Sequence, residues 1–324
     1  MGCLQDGVLA AMNELRFDGK VAIVTGAGRG LGRCYAELLA SRGARVLVND
    51  TGSGAQGEPG AERPAESVAA RIRADGGEAV ADTHSVSTQA QAIAGSALAH
   101  FGRIDILVNN AGISGGGAFE SIPPEDFDRM LAVHLGGTVA MSRACWPHLA
   151  ASRGRIVNTT SASIFGSAWN AHYVSAKGGI FALTRALAQE GATAGMHVNA
   201  VMPSAWTRLT AQIPNADFAG LLEDWFPPES IAPFVAWLCH AGCALNGETF
   251  HAGGGRAARV VLVEATGVTA AAWTPEAWAG QETALMDLEG AVAPASMLEA
   301  FRHELAHISE DTRRAAAGKH IGID

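Results

Sequence analysis

Short apolar runs rich in β-branched residues recur at wide intervals along the chain. They lie at Val21–Thr25, Val46–Val48, Ile104–Val108, Arg155–Asn158 and Val198–Met202. Ala- and Leu-rich stretches with helical spacing separate them, at Leu31–Ser41, Ala90–His100 and Ala176–Gln189. Strands without polar alternation are buried on both faces, as in a parallel sheet that carries helices on each side. The pattern therefore predicts an α/β fold with a Rossmann-type, doubly wound parallel sheet.

The length and composition fit one large α/β unit with an appendage. The chain has 324 residues, and α/β folds often extend to about 250 residues as a single domain. The formal net charge is -9 and no stripe of Lys and Arg is present, which argues against a nucleic-acid partner. No run reaches the roughly 18 apolar residues of a membrane span, and the N-terminus lacks a basic, apolar leader. We therefore expect a cytoplasmic protein without a membrane partner.

The five cysteines are scattered and predict reduced thiols rather than disulfides. The tightest group is Cys239-His240-x-x-Cys243, whose side chains could share a metal ion only with a fourth ligand that the sequence does not place. We therefore expect a buried helix end at this position and no metal site.

Two stretches interrupt the alternation of strands and helices. Residues 51–64 are rich in turn-forming residues and predict a long connection that is mobile or functional. Residues 202–228 collect Pro, Trp and Phe without a helical period, which favours a substrate-covering segment over a core helix.

The pattern changes again after residue 255, which outlines the domain organisation. We expect an N-terminal extension over 1–16, a main domain over 17–255 and a C-terminal extension over 256–324. The C-terminal extension contains a strand-like run at Arg259–Val263, a helix start at Thr274-Pro275-Glu276 and a polar helix near Ser296–Glu310.

A glycine-rich turn follows the first predicted strand. The sequence Thr25-Gly26-Ala27-Gly28-Arg29-Gly30-Leu31-Gly32 lies between that strand and a predicted helix. Glycines let backbone N–H groups approach a pyrophosphate, and the helix presents the positive end of its dipole to that charge. The flanking strand and helix are the context that a dinucleotide-binding motif requires. The alternative is a glycine-rich turn that binds nothing.

Asp50 lies eighteen residues after Gly32, at the end of the second predicted strand. A carboxylate at this position can accept hydrogen bonds from both ribose hydroxyls of an adenosine, and it would repel a 2′-phosphate. Arg29 has the opposite effect, since its guanidinium could pair with such a phosphate. A single cation facing Asp50 would nevertheless compensate that phosphate poorly. The sequence therefore predicts NAD rather than NADP.

Tyr173 and Lys177 are four residues apart in a helical stretch and therefore lie on one face. Moving the pKa of a phenol from about 10 to 7 needs roughly 4 kcal/mol. An ammonium about 4 Å away supplies about that much at an effective dielectric constant near 20. The pair can thus form a general base, although alone it could equally be an ordinary exposed helix pair. Ser161, twelve residues before Tyr173, could hold a substrate oxygen beside the phenol.

Over residues 17 to about 255 the chain resembles the short-chain dehydrogenase/reductase family. The motifs that carry the resemblance are TGAGRGLG at 25–32, Asn109-Asn110-Ala111-Gly112, the serine before Tyr173-x-x-x-Lys177, and Asn199–Pro203. Within the family it looks similar to the (3R)-hydroxyacyl-CoA dehydrogenase domains of peroxisomal multifunctional enzymes. That narrower likeness rests on Val48-Asn49-Asp50, Val133-His134-Leu135, the Trp237–Cys243 segment, Asn246-Gly247, glycines 253–255 and Thr274-Pro275-Glu276.

The resemblance implies a role for each site residue. Tyr173 would be the catalytic acid/base, Lys177 would lower its pKa and hold the nicotinamide ribose, and Ser161 would orient the substrate oxygen. His134 stands where the family has a catalytic asparagine that orders a proton relay. The implied cofactor contacts are Gly26, Gly28, Arg29, Gly30, Leu31, Gly32, Asp50, Ser85, Val86, Asn110, Ala111, Gly112, Tyr173, Lys177, Pro203 and Thr207. No metal is required.

The chain departs from the family pattern at further positions. The spacing from the serine to Tyr173 is one residue short, which would put Thr160 at the formal position of the catalytic serine. We assign Ser161 because it aligns from the strand side. The acidic residue that is usual near the adenine is replaced around His84-Ser85, and Pro203 is followed by Ser204 rather than by glycine.

The sequence thus predicts an NAD-dependent dehydrogenase that oxidises a secondary alcohol to a ketone, with a (3R)-3-hydroxyacyl-CoA as the first candidate substrate. A steroid, a polyol or an acyl-carrier-protein thioester is the alternative, because Trp206, Trp225 and Phe226 suit a fatty chain and a ring system equally. A second alternative is a regulatory protein that binds NAD without catalysis. The resemblance implies a homodimer or homotetramer through helices near 123–150 and 172–194, with the extension contacting a neighbouring subunit or covering the site.

Overall fold

The computed structural model describes residues 14–212, 215–270 and 274–307. Most of the predicted N-terminal extension, residues 1–13, and the end of the C-terminal extension, residues 308–324, lie outside the described residues. The chain divides into two compact units, one ending at Arg259 and the other beginning at Val260. The first unit contains every predicted site residue.

A mostly parallel sheet is the centre of the first unit. Its strands are β1 (Val21–Thr25), β2 (Arg45–Asn49), β3 (Glu78–Asp82), β4 (Ile106–Asn109), β5 (Arg155–Thr159), β6 (His197–Pro203), β7 (Thr249–Gly253) and β8 (Arg256–Val260). Over the described residues their order is β3-β2-β1-β4-β5-β6-β7-β8. Every neighbouring pair from β3 to β7 is parallel. The predicted doubly wound parallel sheet is confirmed.

Helices of the first unit connect the parallel strands and cover both faces of the sheet. In its described residues they are α1 (Gly30–Ser41), α2 (Pro64–Ala74), α3 (Ala90–Phe101), α4 (Pro124–Leu131), α5 (Gly137–Ser152), α6 (Ala171–Ala192), α7 (Ala216–Trp225) and α8 (Ala232–Cys239). The described residues of the second unit contain α9 (Glu282–Leu285) and α10 (Met297–His307). A π-helical turn, Ala132–Gly136, joins α4 to α5. None of these helices is long and apolar enough to span a bilayer.

The two faces of β1 explain its continuous apolar run. Ala22 and Val24 pack in one buried cluster, which includes side chains of α1 and α8, whereas Val21 and Ile23 pack in a second cluster with α3 and α5. Both faces of the strand are therefore covered, and no position along it meets water. Between β1 and β4 the strand order reverses, and ligands of such sheets bind beyond the carboxyl ends of the strands at that point.

Several elements differ from the expectation. The strands β3 and β7 do not stand out in the sequence because each is partly exposed and carries polar residues. The strand predicted at Arg259–Val263 begins and ends three residues earlier. The helix start predicted at Thr274-Pro275-Glu276 is a single 3-10 turn. The polar helix predicted near Ser296–Glu310 is α10, although its last predicted residues lie outside the described residues.

The segment 202–228 contains a helix that the sequence analysis does not predict. Its ten residues Ala216–Trp225 form α7, so the expectation of an irregular segment is wrong there. Leu222 is the one buried residue of that helix, which agrees with the prediction that no core helix lies here. Residues 213 and 214 lie outside the described residues.

Candidate active site

The glycine turn between β1 and α1 is packed too closely for any side chain at two of its positions. A Cβ on Gly32 would lie 2.2 Å from the carbonyl oxygen of Gly26, and a Cβ on Gly28 would lie 2.8 Å from Oδ2 of Asp50. Gly26 also has a φ of 62°, in the left-handed region that favours glycine. The turn therefore presents bare backbone beside the N-terminus of α1, as a bound pyrophosphate requires.

The side chains of Thr25, at the end of β1, and of Asn110, just after β4, fix the loop that follows β4 to this turn. The hydroxyl of Thr25 accepts hydrogen bonds from the backbone N–H of Asn110 at 3.0 Å and of Ala111 at 3.1 Å. The Asn110 amide in turn donates to the carbonyl oxygens of Thr25 and Gly26 at 2.9 and 3.1 Å. These contacts bring Asn110 and Ala111 to the switch point of the sheet, where the resemblance places them.

Asp50 follows β2 and closes the other end of the glycine turn. Its Oδ2 accepts from the N–H of Gly28 at 3.0 Å, and its Oδ1 accepts from the N–H of Gly52 at 2.8 Å. The guanidinium of Arg29 forms an ion pair with Glu62 and donates to the carbonyl oxygen of Ser53 at 3.5 Å. The positive charge of Arg29 is thus already engaged by a carboxylate of the chain.

The last residue of β3 is acidic but is not among the residues that line the candidate cleft. Asp82, at the end of β3, is buried, accepts from the amide of Asn49 at 2.8 Å and contacts Nδ1 of His84 at 2.9 Å. Ser85 and Val86, which follow, line the candidate cleft described below.

Tyr173 and Lys177 are one turn apart on α6, as the sequence predicts. The Lys177 side chain is buried, and its Nζ donates to the carbonyl oxygen of Thr159 at 2.7 Å. The same Nζ lies 5.5 Å from the centroid of the Tyr173 ring. A side-chain hydrogen bond joins Ser161 to Tyr173 and acts to lower the pKa of the phenol. These three predicted catalytic residues therefore meet at one point.

The structure distinguishes Ser161 from Thr160. The Thr160 hydroxyl is buried and donates to the carbonyl oxygen of Lys177 at 2.7 Å, so it is turned into α6. The Ser161 hydroxyl lies on the side of Tyr173 and caps the 3-10 turn Ala162–Phe165 by accepting from the N–H of Ser163 at 3.2 Å. Ser161 can therefore contact a substrate oxygen, whereas the Thr160 hydroxyl is already committed.

The pKa of Tyr173 differs from the expectation drawn from sequence. Burial raises the pKa of this phenol and outweighs the opposing hydrogen bond from Ser161. Burial also lowers the pKa of Lys177 to about 7, because an ammonium is poorly solvated there. The proposed lowering of the phenol pKa by the ammonium does not appear, since an amine with a pKa of about 7 carries only part of a positive charge at neutral pH.

His134 lies in the π-helical turn and contacts Tyr173 edge-on. The two ring centroids are 5.3 Å apart and their planes are at 90°. Nε2 of His134 lies 3.1 Å from the amide nitrogen and 2.9 Å from the carbonyl oxygen of Ile113, while Nδ1 is buried without a hydrogen-bond partner in the described part of the chain. Burial holds the pKa of His134 well below its usual range, so the ring is neutral. Gly112 leaves the space that this ring fills, because a Cβ there would lie 2.3 Å from its Cε1.

These elements enclose a cleft of about 420 Å³. The predicted residues that line it are Gly26, Arg29, Gly30, Leu31, Asp50, Ser85, Val86, Asn110, Ala111, Gly112, His134, Ser161, Tyr173, Lys177, Pro203 and Thr207. Gly28 and Gly32 are not among its walls, because they pack behind the turn. The cleft contains the Asp50 carboxylate, which can hold a ribose, the exposed backbone of the glycine turn, and the Tyr173 phenol beside the Lys177 amine. The residues present fit a nicotinamide dinucleotide.

Several residues of the cleft were missed by sequence reasoning. They include Thr51, Ser53, Gly54, Gly57, Ile113, Arg129, Val133, Arg208 and Leu209. The first four belong to the turn-rich connection, and Ser114 holds that connection in place because its N–H donates to the carbonyl oxygen of Ala55 at 2.8 Å. The unusual length of this connection could have indicated that it borders the site. Nothing in the sequence distinguishes Arg129 from any other charged residue on a helix surface.

The Cys239-His240-x-x-Cys243 group is a helix end, as predicted. Both thiols are buried and free, and Cys239 is the last residue of α8. Within residues 14–212, 215–270 and 274–307, no three His, Cys, Asp or Glu side chains come together as a metal site would require.

Comparisons with known proteins agree with this geometry. The family profile described as short chain dehydrogenase matches residues 20–215. The mouse peroxisomal multifunctional enzyme type 2 is 44% identical over 245 residues, which are 75% of this chain and 33% of the mouse protein. The 3-oxoacyl-[acyl-carrier-protein] reductase of Vibrio cholerae is 34% identical over 257 residues, covering 74% of this chain and 98% of the reductase.

A solved structure extends the likeness to three dimensions. The full-length peroxisomal multifunctional enzyme type 2 from Drosophila melanogaster superposes with a TM-score of 0.75 at 32% identity, over 90% of this chain and 50% of that chain. This chain thus spans about a third of the length of the mouse relative and half of the Drosophila one.

Proposed function

The chain belongs to the short-chain dehydrogenase family, and on that premise we propose that it oxidises the hydroxyl of a (3R)-3-hydroxyacyl-CoA to the ketone with NAD. The family acts on CH–OH groups with a nicotinamide cofactor. The observation that carries the proposal is the meeting of Ser161, Tyr173 and Lys177 at one end of a cleft whose other end is a glycine turn and Asp50. A protein that only binds NAD would gain nothing from a phenol beside a buried amine.

The substrate class is supported by the relatives. One is named for the reduction of a 3-oxoacyl thioester, which is the reverse of the proposed reaction, and others are named as hydratase-dehydrogenase-epimerases. Ile113, Val133 and Leu209 give the cleft apolar walls, which suit the carbon chain of such a substrate.

Each catalytic side chain has one task in the proposed mechanism. Tyr173, as the phenolate, removes the proton of the substrate hydroxyl, and Ser161 donates a hydrogen bond to the same oxygen. A bound nicotinamide supplies the acceptor for the hydride that leaves the carbinol carbon. Lys177 lies close enough to stabilise the phenolate when the lysine amine is protonated. We assign His134 a positioning role, because its neutral ring packs against Tyr173 and is itself fixed at Ile113.

The reaction is tested directly with both enantiomers of 3-hydroxybutanoyl-CoA. We expect the purified protein to form NADH from NAD with the (3R) substrate and to leave the (3S) substrate unreacted, because one face of the carbinol must meet the nicotinamide while its hydroxyl meets Tyr173. Turnover of a steroid or polyol alone would favour the alternative substrates. Tight NAD binding without turnover of any alcohol would favour the regulatory alternative.

Asp50 is expected to set the preference for NAD. Replacing it by serine removes the repulsion of a 2′-phosphate and the charged acceptor for the ribose hydroxyls. We expect kcat/KM for NAD to fall about 10- to 100-fold, as for the loss of a hydrogen bond to a charged group, with a smaller change for NADP. Asp75, a carboxylate at the end of α2, provides the control Asp75→Asn. An unchanged ratio of NAD to NADP efficiency in Asp50→Ser would contradict the assignment.

Three further expectations stay predictions. They are the homodimer or homotetramer formed through the helices near 123–150 and 172–194, the role of the C-terminal extension, and the cytoplasmic location.

A further inference from the structure

Trp169 has a strained backbone conformation that its side chain does not explain. Its φ is 63°, and in the described residues Arg153, with a φ of 53°, is the one other non-glycine residue with a positive φ. The left-handed region is unfavourable for a bulky side chain because its Cβ crowds the following carbonyl oxygen. Glycine or asparagine would be the ordinary choice at this position.

Packing of the indole within the chain does not account for the strain. Trp169 is 70% exposed, so most of its large apolar surface meets water. Its backbone is held by a contact that any residue could make, because its carbonyl oxygen accepts from the N–H of Gly117 at 2.8 Å. Strained residues of this kind cluster at ligand sites.

The position of Trp169 relates it to the candidate active site. It lies four residues before Tyr173, just before α6 begins at Ala171. The loop after β5, which contributes Ser161 to the cleft, continues to Trp169, and the loop after β4, which contributes Ile113, continues to Gly117. The hydrogen bond from Gly117 to Trp169 therefore joins the two loops that border the substrate end of the cleft.

Two more exposed aromatic side chains lie on the same pair of loops. Phe165 is 68% exposed and Phe119 is 72% exposed. With Trp169 they are three large, exposed aromatic side chains on the two loops that continue from the cleft. Exposed apolar side chains on such loops are typical of a surface that a ligand covers.

We propose that Trp169 binds the acyl chain of the substrate where that chain leaves the cleft. The proposal rests on the proposed function and adds to it that the substrate is a medium- or long-chain thioester. Trp169 lies before α6 begins and is not among the residues that line the cleft, so an acyl chain must extend several carbons past the reacting carbinol to reach it. We therefore expect a four-carbon acyl group to end inside the cleft and a ten-carbon group to reach the indole.

The test compares two chain lengths in two Trp169 variants. Trp169→Asn and Trp169→Gly remove the indole and place at this position residues that adopt positive φ readily. The dissociation constants of butanoyl-CoA and decanoyl-CoA are measured by calorimetry with NAD-loaded protein, and kcat/KM is measured for the matching (3R)-3-hydroxyacyl-CoA pair. We expect decanoyl binding and kcat/KM to weaken about tenfold, the equivalent of a few buried methylene contacts, with less than a twofold change for the butanoyl pair.

Arg153→Gly is the matched control because it relieves the same strain at the end of α5, away from the cleft. Arg153→Gly should change neither the dissociation constants nor kcat/KM for either acyl chain length. All three variants should keep or raise the midpoint of thermal unfolding, since strain is removed and little packing is lost.

The outcomes separate this inference from the proposed function. Equal losses for the butanoyl and decanoyl ligands would overturn the role of Trp169, as would a wild-type protein that binds both ligands equally. A fall of more than about 4 °C in the midpoint of Trp169→Asn would show that the indole packs within the fold, which also overturns it. Chain-length-dependent binding without turnover of any hydroxyacyl-CoA would retain the Trp169 site and reject the proposed reaction.

Discussion

Replacing Tyr173 by phenylalanine should lower kcat by about a thousandfold while NAD still binds, because the variant loses the group that removes the substrate proton. The ring remains, so its edge-on contact with His134 at 5.3 Å and the packing of α6 are retained. Steady-state kinetics with (3R)-3-hydroxybutanoyl-CoA measures the loss, and calorimetry measures NAD binding. Circular dichroism checks the fold.

The chain offers a matched control for this change. The other tyrosine of the chain is Tyr35, and its hydroxyl is buried without a hydrogen-bond partner in the described part of the chain. Burial raises the pKa of Tyr35 as it does that of Tyr173, but Tyr35 is not among the residues that line the cleft. Tyr35→Phe should leave kcat unchanged and keep or raise stability, because an unpaired buried hydroxyl is removed. Most of the activity surviving in Tyr173→Phe would reject the mechanism.

Replacing Lys177 by methionine should remove a pH dependence of folding stability from the cofactor-free protein. Burial lowers the pKa of Lys177 to about 7, whereas in the unfolded chain it returns to its ordinary value of 10.5. Between these values the unfolded chain holds one proton more than the folded chain, so the free energy of unfolding rises with pH. The stabilisation is complete above pH 10.5 and is lost as the pH falls towards 7.

Lys177 contributes about 2 kcal/mol to the rise in the free energy of unfolding between pH 7.5 and 9. Denaturant unfolding of the wild-type protein and of Lys177→Met at the two pH values measures this contribution as the difference between the two proteins. The buried thiols affect both proteins equally: burial raises the pKa of Cys34 to about 11 and that of Cys145 to about 12, whereas in the unfolded chain both return to their ordinary value of 9.0.

Lys20→Met is the control for Lys177→Met. Lys20 is partly exposed and pairs with Asp105 at 3.4 Å, so its removal should leave the pH dependence of the wild type intact. A pH dependence in Lys177→Met equal to that of the wild type would mean that Lys177 is charged in the folded protein. The ammonium could then lower the pKa of Tyr173 in the cofactor-free protein.

Lys177→Met should also lower kcat/KM, since the proposed phenolate loses its neighbouring cation.

Much of the nucleotide half of the site could be predicted from the sequence. The apolar run Val21–Thr25 is β1 to the residue, and α1 begins one residue before the predicted stretch. Both elements are determined by local pattern, because a strand covered on both faces must be continuously apolar and a glycine turn must precede the helix. The position of Asp50 beside the glycine turn could be predicted in the same way, because in a sheet with this strand order the end of β2 lies next to that turn.

The substrate half was less predictable because its residues lie in loops. The choice between Thr160 and Ser161 depends on which hydroxyl faces α6, and the spacing along the chain leaves both possible. The role of the turn-rich connection as a wall of the cleft depends on its contact with Ser114, 59 residues further along the chain from Ala55. Neither contact leaves a periodic signal in the sequence.

The sequence alone determined the fully buried strands of the sheet, the glycine turn and the pairing of Tyr173 with Lys177 on one helix face, since each follows from residue types at short spacing. Only the tertiary structure decided the directions in which burial moves the pKa values of that pair, the neutral state of His134 and the strained backbone of Trp169. Desolvation depends on everything that packs around a group, and backbone strain depends on the loops that a residue must join. Desolvation and backbone strain therefore both depend on residues that are far apart in the chain, and no local sequence pattern can predict them.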